Sequence, residues 1–171
     1  MPVRITQTRT TETTWESRTG LLCRHQSTSM SRLHILLALI EAWKMRDIEG
    51  VLALLDDDIV WHYAAAIAPP VKGKVKARKL LEVLGPQIAE VRWRIFDHAE
   101  RDGRLFVEGV DEYVSIAGHL VSAPYAGVVE FRDGRISALR EYFDVGVVNA
   151  LKAGEPMPEH VRALIAREAI T

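Results

Sequence analysis

Strand-like alternation dominates the second half of the chain, and it limits the folds that this sequence can adopt. Apolar and polar side chains alternate with a period of two in four stretches: 89–100, 104–114, 120–131 and 136–144. The turn sequences Arg101-Asp102-Gly103 and Arg132-Asp133-Gly134-Arg135 separate the first pair and the last pair of these stretches. Asp-Gly favours tight hairpin turns because these two residues tolerate positive φ. The pattern therefore predicts a bent antiparallel meander of four strands.

Helices precede these strands. Leu33, Leu36 and Ile40 recur at helical spacing and predict a helix that begins near Ser31. Three further elements follow it: a short helix at 51–55, a strand at 56–63 and a third helix at 74–84. Helices followed by strands indicate an α+β fold, in which the N-terminal helices pack on one face of a curved antiparallel sheet.

The chain divides into three parts by composition. Residues 1–29 are rich in Thr, Ser and Arg without apolar periodicity, so we predict a disordered leader. Residues 30–150 carry the helices and strands, and we predict that they form one domain. Residues 151–171 form a C-terminal tail, with a predicted closing helix at 159–169.

The charge and cysteine content exclude several classes of protein. There are 22 Lys and Arg against 23 Asp and Glu, and this balance gives no field that attracts nucleic acid. The longest apolar run, at 35–40, is far shorter than the roughly 20 residues that span a bilayer. The single Cys23 allows no disulfide within the chain and fits a reducing compartment. We therefore expect a cytoplasmic protein with neither a nucleic-acid nor a membrane partner.

Two carboxylates fall on strand faces that are otherwise apolar. In 104–114, Asp111 shares a face with Leu105 and Val107, and in 136–144, Glu141 shares a face with Leu139 and Phe143. Burial of an ionised carboxylate is costly unless it is paired or its pKa rises. A cleft that holds two such groups is suited to acid/base chemistry, so we predict Asp111 and Glu141 as the catalytic pair.

Further side chains on the inward faces complete the predicted site. Tyr63 shares the inward face of the early strand and can donate a hydrogen bond to a developing oxyanion, which makes it a third catalytic candidate. Seven residues are predicted to line the substrate pocket: Trp61, Trp93, Gly109, Tyr113, Tyr125, Leu139 and Phe143. No group of His side chains has the spacing of metal ligands, so no metal or other cofactor is expected.

The later strands and one loop resemble a known superfamily. The loop Pro69-Pro70-Val71-Lys72-Gly73-Lys74 and the closing hairpin, with Arg140-Glu141-Tyr142-Phe143-Asp144, resemble nuclear transport factor 2-like proteins, in particular limonene-1,2-epoxide hydrolase and SnoaL-like proteins. The resemblance covers about residues 31–150. It implies a cone-shaped fold that encloses a pocket for a small apolar molecule.

The resemblance also implies roles for individual residues. In the epoxide hydrolases, an acid at the position of Asp111 protonates the epoxide, and an acid at that of Glu141 activates water. Those enzymes have an Arg where this chain has Gly109, and a Tyr and an Asn where it has Trp61 and Tyr63. Some epoxide-opening cyclases of the superfamily are similar in using a carboxylate pair without the Arg. Gly109 is thus expected to leave room for a larger ligand.

Four functions remain open at this point. Epoxide opening, by hydrolysis or cyclisation, is favoured. The alternatives are an isomerase or polyketide-type cyclase acting on an enolisable ketone, a non-catalytic pocket protein, and an interaction module that uses the outer face of the sheet. Unpaired carboxylates in a cavity of roughly 300 Å³ or more favour an enzyme, whereas salt-bridged carboxylates favour binding alone. A homodimer is expected because an open curved sheet needs its outer face covered.

Overall fold

The part of the chain that the structure describes contains five α-helices and seven strands. A computed structural model describes residues 30–170, so the predicted leader at 1–29 lies outside the described residues. The helices are α1 (Arg32–Lys44), α2 (Ile48–Leu54), α3 (Lys74–Leu84), α4 (Val145–Lys152) and α5 (Glu159–Ile165). The strands are β1 (Leu55–His62), β2 (Val71–Lys72), β3 (Ile88–Val91), β4 (Arg94–Arg101), β5 (Arg104–Ser115), β6 (Leu120–Arg132) and β7 (Arg135–Phe143).

Side-chain caps fix the start of three of the helices. Ser31 caps α1 by accepting a hydrogen bond from the amide of His34, and Asp47 and Asp144 cap α2 and α4 in the same way. Such caps satisfy amide groups that the first helical turn leaves unpaired. Helix α1 then buries one face against the sheet, with Leu36 and Leu39 almost completely enclosed.

All seven strands form one strongly curled sheet. Its order is β2-β1-β7-β6-β5-β3, and β4 also pairs with β5. The two predicted Asp-Gly hairpins are confirmed: Asp102, Gly103, Asp133 and Gly134 all have positive φ. Among the strand pairs, β1 lies parallel to β7 while the others are antiparallel, so the sheet is mixed rather than purely antiparallel. Local alternation carries no signal for this pairing because β1 and β7 are far apart in the sequence.

The predicted strand at 89–100 is two strands. β3 and β4 both pair with β5, and the chain bends between them at Arg92 and Trp93. The Arg92 amide donates to the carbonyl oxygen of Glu112, and the Trp93 side chain is 5% exposed. The bend lets the edge of the sheet follow the curl of the long strand β5.

The C-terminal segment is packed on the domain. Helix α4 crosses position 150, where the domain was expected to end, and the closing helix stops at Ile165 rather than at residue 169. Ile165 packs with Phe96 and Val110 on the outer face of the sheet. The chain thus covers by itself part of the outer face that led to the expectation of a homodimer. None of the helices within residues 30–170 is long and apolar enough to cross a membrane.

Candidate active site

A cavity of about 450 Å³ lies between the inner face of the sheet and helices α1 to α4. Most of its wall is apolar: Leu39 and Trp43 come from α1, Leu81 and Leu84 from α3, and Val148 from α4. A cavity of this size and composition is typical of sites for small molecules. The curl of the sheet and the buried faces of the helices thus enclose the apolar pocket that the sequence predicts.

Most of the predicted site residues lie on the wall of this cavity. Of the ten, seven line it: Trp61, Tyr63, Trp93, Asp111, Tyr113, Glu141 and Phe143. The other three, Gly109, Tyr125 and Leu139, do not. Period-two counting therefore places both carboxyl groups in one cavity, but it does not distinguish a residue on the wall from one beneath it.

Gly109 does not leave space for a ligand. It lies on β5 opposite Ile95 of β4 and Tyr125 of β6. A Cβ at this position would overlap the carbonyl oxygen of Arg94 and lie 3.2 Å from the Cα of Ile95. The backbone of β4 at Arg94 and Ile95 thus approaches Gly109 closely, so the glycine is required for strand packing.

Leu139 and Tyr125 belong to the layer beneath the cavity. Leu139 is 1% exposed and Tyr125 5% exposed, both within the main apolar core. The rings of Tyr125 and Trp93 meet edge to face, with centroids 5.7 Å apart. Within residues 30–170, neither the Tyr125 hydroxyl nor the Trp93 indole N–H has a hydrogen-bond partner. Leu139 and Tyr125 therefore belong to the packed core rather than to the cavity wall.

Glu141 is a buried acid held by one indole. It is 8% exposed on β7, and Trp61 Nε1 of β1 donates to its Oε2 atom at 2.9 Å. Parallel pairing of β1 with β7 places Trp61 opposite Leu139, two residues before Glu141. Burial, together with the negative charge of Asp111, raises the pKa of Glu141 to about 8, although the Trp61 hydrogen bond lowers it. Glu141 is therefore mostly protonated at neutral pH.

Asp111 faces the same cavity and titrates at lower pH. Burial raises the pKa of Asp111 to about 6, against the opposing attraction of Lys152 on α4. Asp111 is therefore mostly ionised at neutral pH, while Glu141 keeps its proton. The two carboxyl groups thus line one largely apolar cavity, one mostly protonated and the other mostly ionised at neutral pH.

Replacement of Trp61 tests how Glu141 is held. The Trp61 hydrogen bond stabilises the ionised carboxylate, so Trp61→Phe raises the pKa of Glu141, by up to about one pH unit for a neutral donor. Trp93→Phe is the matched control because that indole lines the same cavity without bonding to Glu141. The measurement is a carboxyl ¹³C NMR titration of each variant. An unchanged Glu141 titration in Trp61→Phe contradicts the assignment.

Neither carboxyl group is neutralised by an ion pair. Within residues 30–170, no Lys, Arg or His nitrogen lies in salt-bridge contact with Asp111 or Glu141. Tyr63, in the turn after β1, is half-buried on the cavity wall. In the same part of the chain, no group of three His, Cys, Asp or Glu side chains is arranged to hold a metal ion.

Three polar residues on the cavity wall lie outside the strand pattern, and no local sequence signal predicts their place there. Lys152 of α4, Ser115 at the end of β5 and Gln87 after α3 all line the cavity. The signal for α4 was present, since Asp144 precedes an apolar stretch as a helix cap does. Where that helix docks depends on contacts of Val148 and Leu151 with β6, which no local pattern encodes.

Comparison with known proteins agrees with this architecture. The model of the SnoaL-like domain family matches residues 36–139, which is more than half of the chain. A search of curated proteins finds no match.

Solved structures share the fold at low sequence identity. An LEH-like epoxide hydrolase from M. tuberculosis is 24% identical with a TM-score of 0.61, covering 69% of this chain and 86% of the other. A protein from Catenulispora acidiphila with a ketosteroid isomerase-like fold, in complex with trimethylamine, is 19% identical with a TM-score of 0.63, covering 72% and 94%. A nuclear transport factor 2-like protein of unknown function from Burkholderia pseudomallei is 22% identical with a TM-score of 0.60, covering 72% and 97%. The TM-scores show a common fold, and the family match shows that this chain belongs to the SnoaL-like domain family.

Proposed function

We propose that this protein is an acid/base enzyme that opens the epoxide ring of a small, largely apolar substrate. The observation that carries the proposal is the pair Asp111 and Glu141, two carboxyl groups in one largely apolar cavity of about 450 Å³ that form no ion pair within residues 30–170. Their different pKa values supply one base and one acid at neutral pH. Positioned groups of this kind contribute about 10² to 10⁴ in rate.

The protonation states assign the two roles. Glu141 donates its proton to the epoxide oxygen as the carbon–oxygen bond breaks, and Asp111 removes the proton from the hydroxyl group that attacks the carbon. The reaction leaves Glu141 ionised and Asp111 protonated, and transfer of one proton between them restores the starting state. These roles are the reverse of those that the resemblance to epoxide hydrolases implies, because the Asp111 pKa lies below that of Glu141.

A hydroxyl group of the substrate itself is favoured as the nucleophile. A water molecule must be oriented by several partners before it attacks in line, and an indole offers one donor and no acceptor. The indole N–H of Trp61 already donates to Glu141, so Trp61 has no further donor that could orient a water molecule. A tethered hydroxyl needs no such partners, which makes ring closure of a hydroxy-epoxide the favoured form of the reaction.

Isotope labelling of candidate substrates tests the proposed reaction. The purified protein is incubated with simple epoxides and with hydroxy-epoxides in H₂¹⁸O, and the products are analysed by mass spectrometry. Ring closure gives an isomer of unchanged mass without ¹⁸O, whereas hydrolysis gives a diol that contains one ¹⁸O atom. Conversion of no epoxide in either set contradicts the proposal.

Isomerisation of an enolisable ketone is the second candidate. The protonated Glu141 in its apolar surroundings supports it, because a neutral carboxylic acid can donate a hydrogen bond to an enolate oxygen. Asp111 then moves the proton between two carbon atoms. Incubation of ketones in D₂O distinguishes this reaction, since it introduces deuterium at the α-carbon, and epoxide opening does not.

The acid/base roles predict a bell-shaped pH profile. Activity requires Asp111 ionised and Glu141 protonated, so kcat/KM rises through a pKa of about 6 and falls through a pKa of about 8. The two limbs belong to the coupled pair rather than to isolated groups. A kcat/KM profile for any substrate that is turned over, measured in buffers of constant ionic strength, checks this. Activity that keeps rising well above pH 8 contradicts the role of Glu141 as acid.

A further inference from the structure

We propose that the natural ligand of this cavity carries an anionic oxygen group, such as a carboxylate, which pairs with Lys152 at the cavity mouth. The inference deepens the proposed function by naming the substrate class, and it rests on that function only in taking the cavity as the substrate site. The apolar body of the ligand then fills the interior, and its charged end remains at the solvent side.

Lys152 lies on the face of helix α4 that lines the cavity. Val148 and Lys152 are one helical turn apart and therefore lie on the same face of α4, and both line the cavity. Val148 and Leu151 pack with Val121 and Ala123 of β6, which anchors this face on the sheet. Lys152 itself is exposed and lines the cavity, and its positive charge acts on Asp111.

The end of α4 is fixed to the neighbouring hairpin by His119. The His119 ring donates through Nδ1 to the carbonyl oxygen of Lys152 at 2.8 Å, and the His119 amide donates to the Ser115 hydroxyl at 3.1 Å. Ser115 lines the cavity beside this connection, and Gln87 accepts a backbone hydrogen bond from Ile116 across the mouth. These contacts hold the end of α4 against the turn between β5 and β6 at the cavity mouth, where polar and apolar side chains both line the wall.

Lys152 is a cation at the cavity mouth that forms no ion pair within residues 30–170. Among the described residues that line the cavity, Asp111, Glu141 and Lys152 are the charged types, and Lys152 forms no ion pair elsewhere in residues 30–170. When Glu141 is protonated, Asp111 carries the negative charge on the cavity wall. Attraction to Lys152 therefore strengthens the binding of an anionic ligand, and repulsion from Asp111 weakens it.

Matched acid and alcohol probes test this charge pattern without any need for turnover. Cyclohexanecarboxylate, benzoate and 2-naphthoate are each compared with the corresponding primary alcohol, and binding is measured by calorimetry at neutral pH. At least one of the acids is expected to bind about tenfold more tightly than its alcohol, equivalent to roughly 1.4 kcal/mol. Equal binding of acid and alcohol, or binding of no acid in the set, overturns the proposal.

Four variants test whether the preference comes from Lys152. Lys152→Met should abolish the preference for the acid, and Lys152→Arg should retain it. Lys79→Met is the matched control because Lys79 is exposed on α3 and does not line the cavity. Asp111→Asn should strengthen binding of the acid while it removes the proposed catalytic base. A Lys152→Met protein that keeps the preference overturns the inference, whereas a protein that binds acids but converts no epoxide or ketone overturns the proposed function alone.

Discussion

Asp111→Asn and Glu141→Gln are each expected to lower kcat by about 10² to 10⁴, the contribution typical of a positioned acid or base. Each change removes one of the two proton positions that the reaction needs, while it keeps the size of the side chain. The double variant should be little worse than either single variant, because residues that act as one unit do not lose activity additively. The measurement is single-turnover kinetics on the substrate that the labelling experiments identify.

The control for this pair comes from the same strand. Glu108→Gln makes the same chemical change on β5, but Glu108 lies on the outer face, is exposed, and pairs with Arg167. Its kcat should remain within about twofold of the parent, since a surface ion pair contributes little even to stability. Losses that add in the double Asp111 and Glu141 variant would show independent roles, and an active single variant would exclude that residue as a proton carrier.

The carboxyl pair could be predicted because it follows from the geometry of two strands. Along β5 and β7, alternation alone puts Asp111 and Glu141 on the inner face, and the Asp-Gly turns fix where those strands reverse. Helix α3 at Lys74–Leu84 agrees with its predicted bounds for a similar reason, since Gly85 closes its apolar pattern. Signals of this kind lie within the element itself, so they can be read before any contact is known.

The features that could not be predicted depend on contacts between distant elements. The parallel pairing of β1 with β7 puts Trp61 against Glu141, and nothing near either residue encodes it. Lys152 reaches the cavity because α4 docks on β6, a contact that depends on the curl of the whole sheet. The pKa values of the pair follow from burial, which exists only once these elements enclose the cavity.

Gly109 shows why a missing side chain is ambiguous in a sequence. A glycine on an inward strand face can leave space for a ligand, or it can allow another backbone to approach closely. In this protein the close approach of the β4 backbone provides the second explanation, since the Arg94 carbonyl oxygen lies where a Cβ would be. An Arg at this position, as in the epoxide hydrolases that the sequence resembles, therefore disrupts the sheet before it can reach a carboxylate.

Gly109→Ala is consequently expected to cost about 3 kcal/mol of unfolding free energy, the upper end of the usual range for overpacking, because the added methyl group meets backbone rather than a movable side chain. For a protein of this size the melting temperature should fall by roughly 6 to 12 °C. Gly85→Ala is the matched control: Gly85 has helical φ and ψ, and its Cβ would lie 3.9 Å from Trp43, so the change should be neutral or stabilise by up to about 1 kcal/mol. The measurement is the melting temperature of both variants and the parent by differential scanning calorimetry. If Gly109→Ala has the same melting temperature as the parent, β4 does not cover the inner face of β5 at Gly109. The space above residue 109 is then open to a ligand.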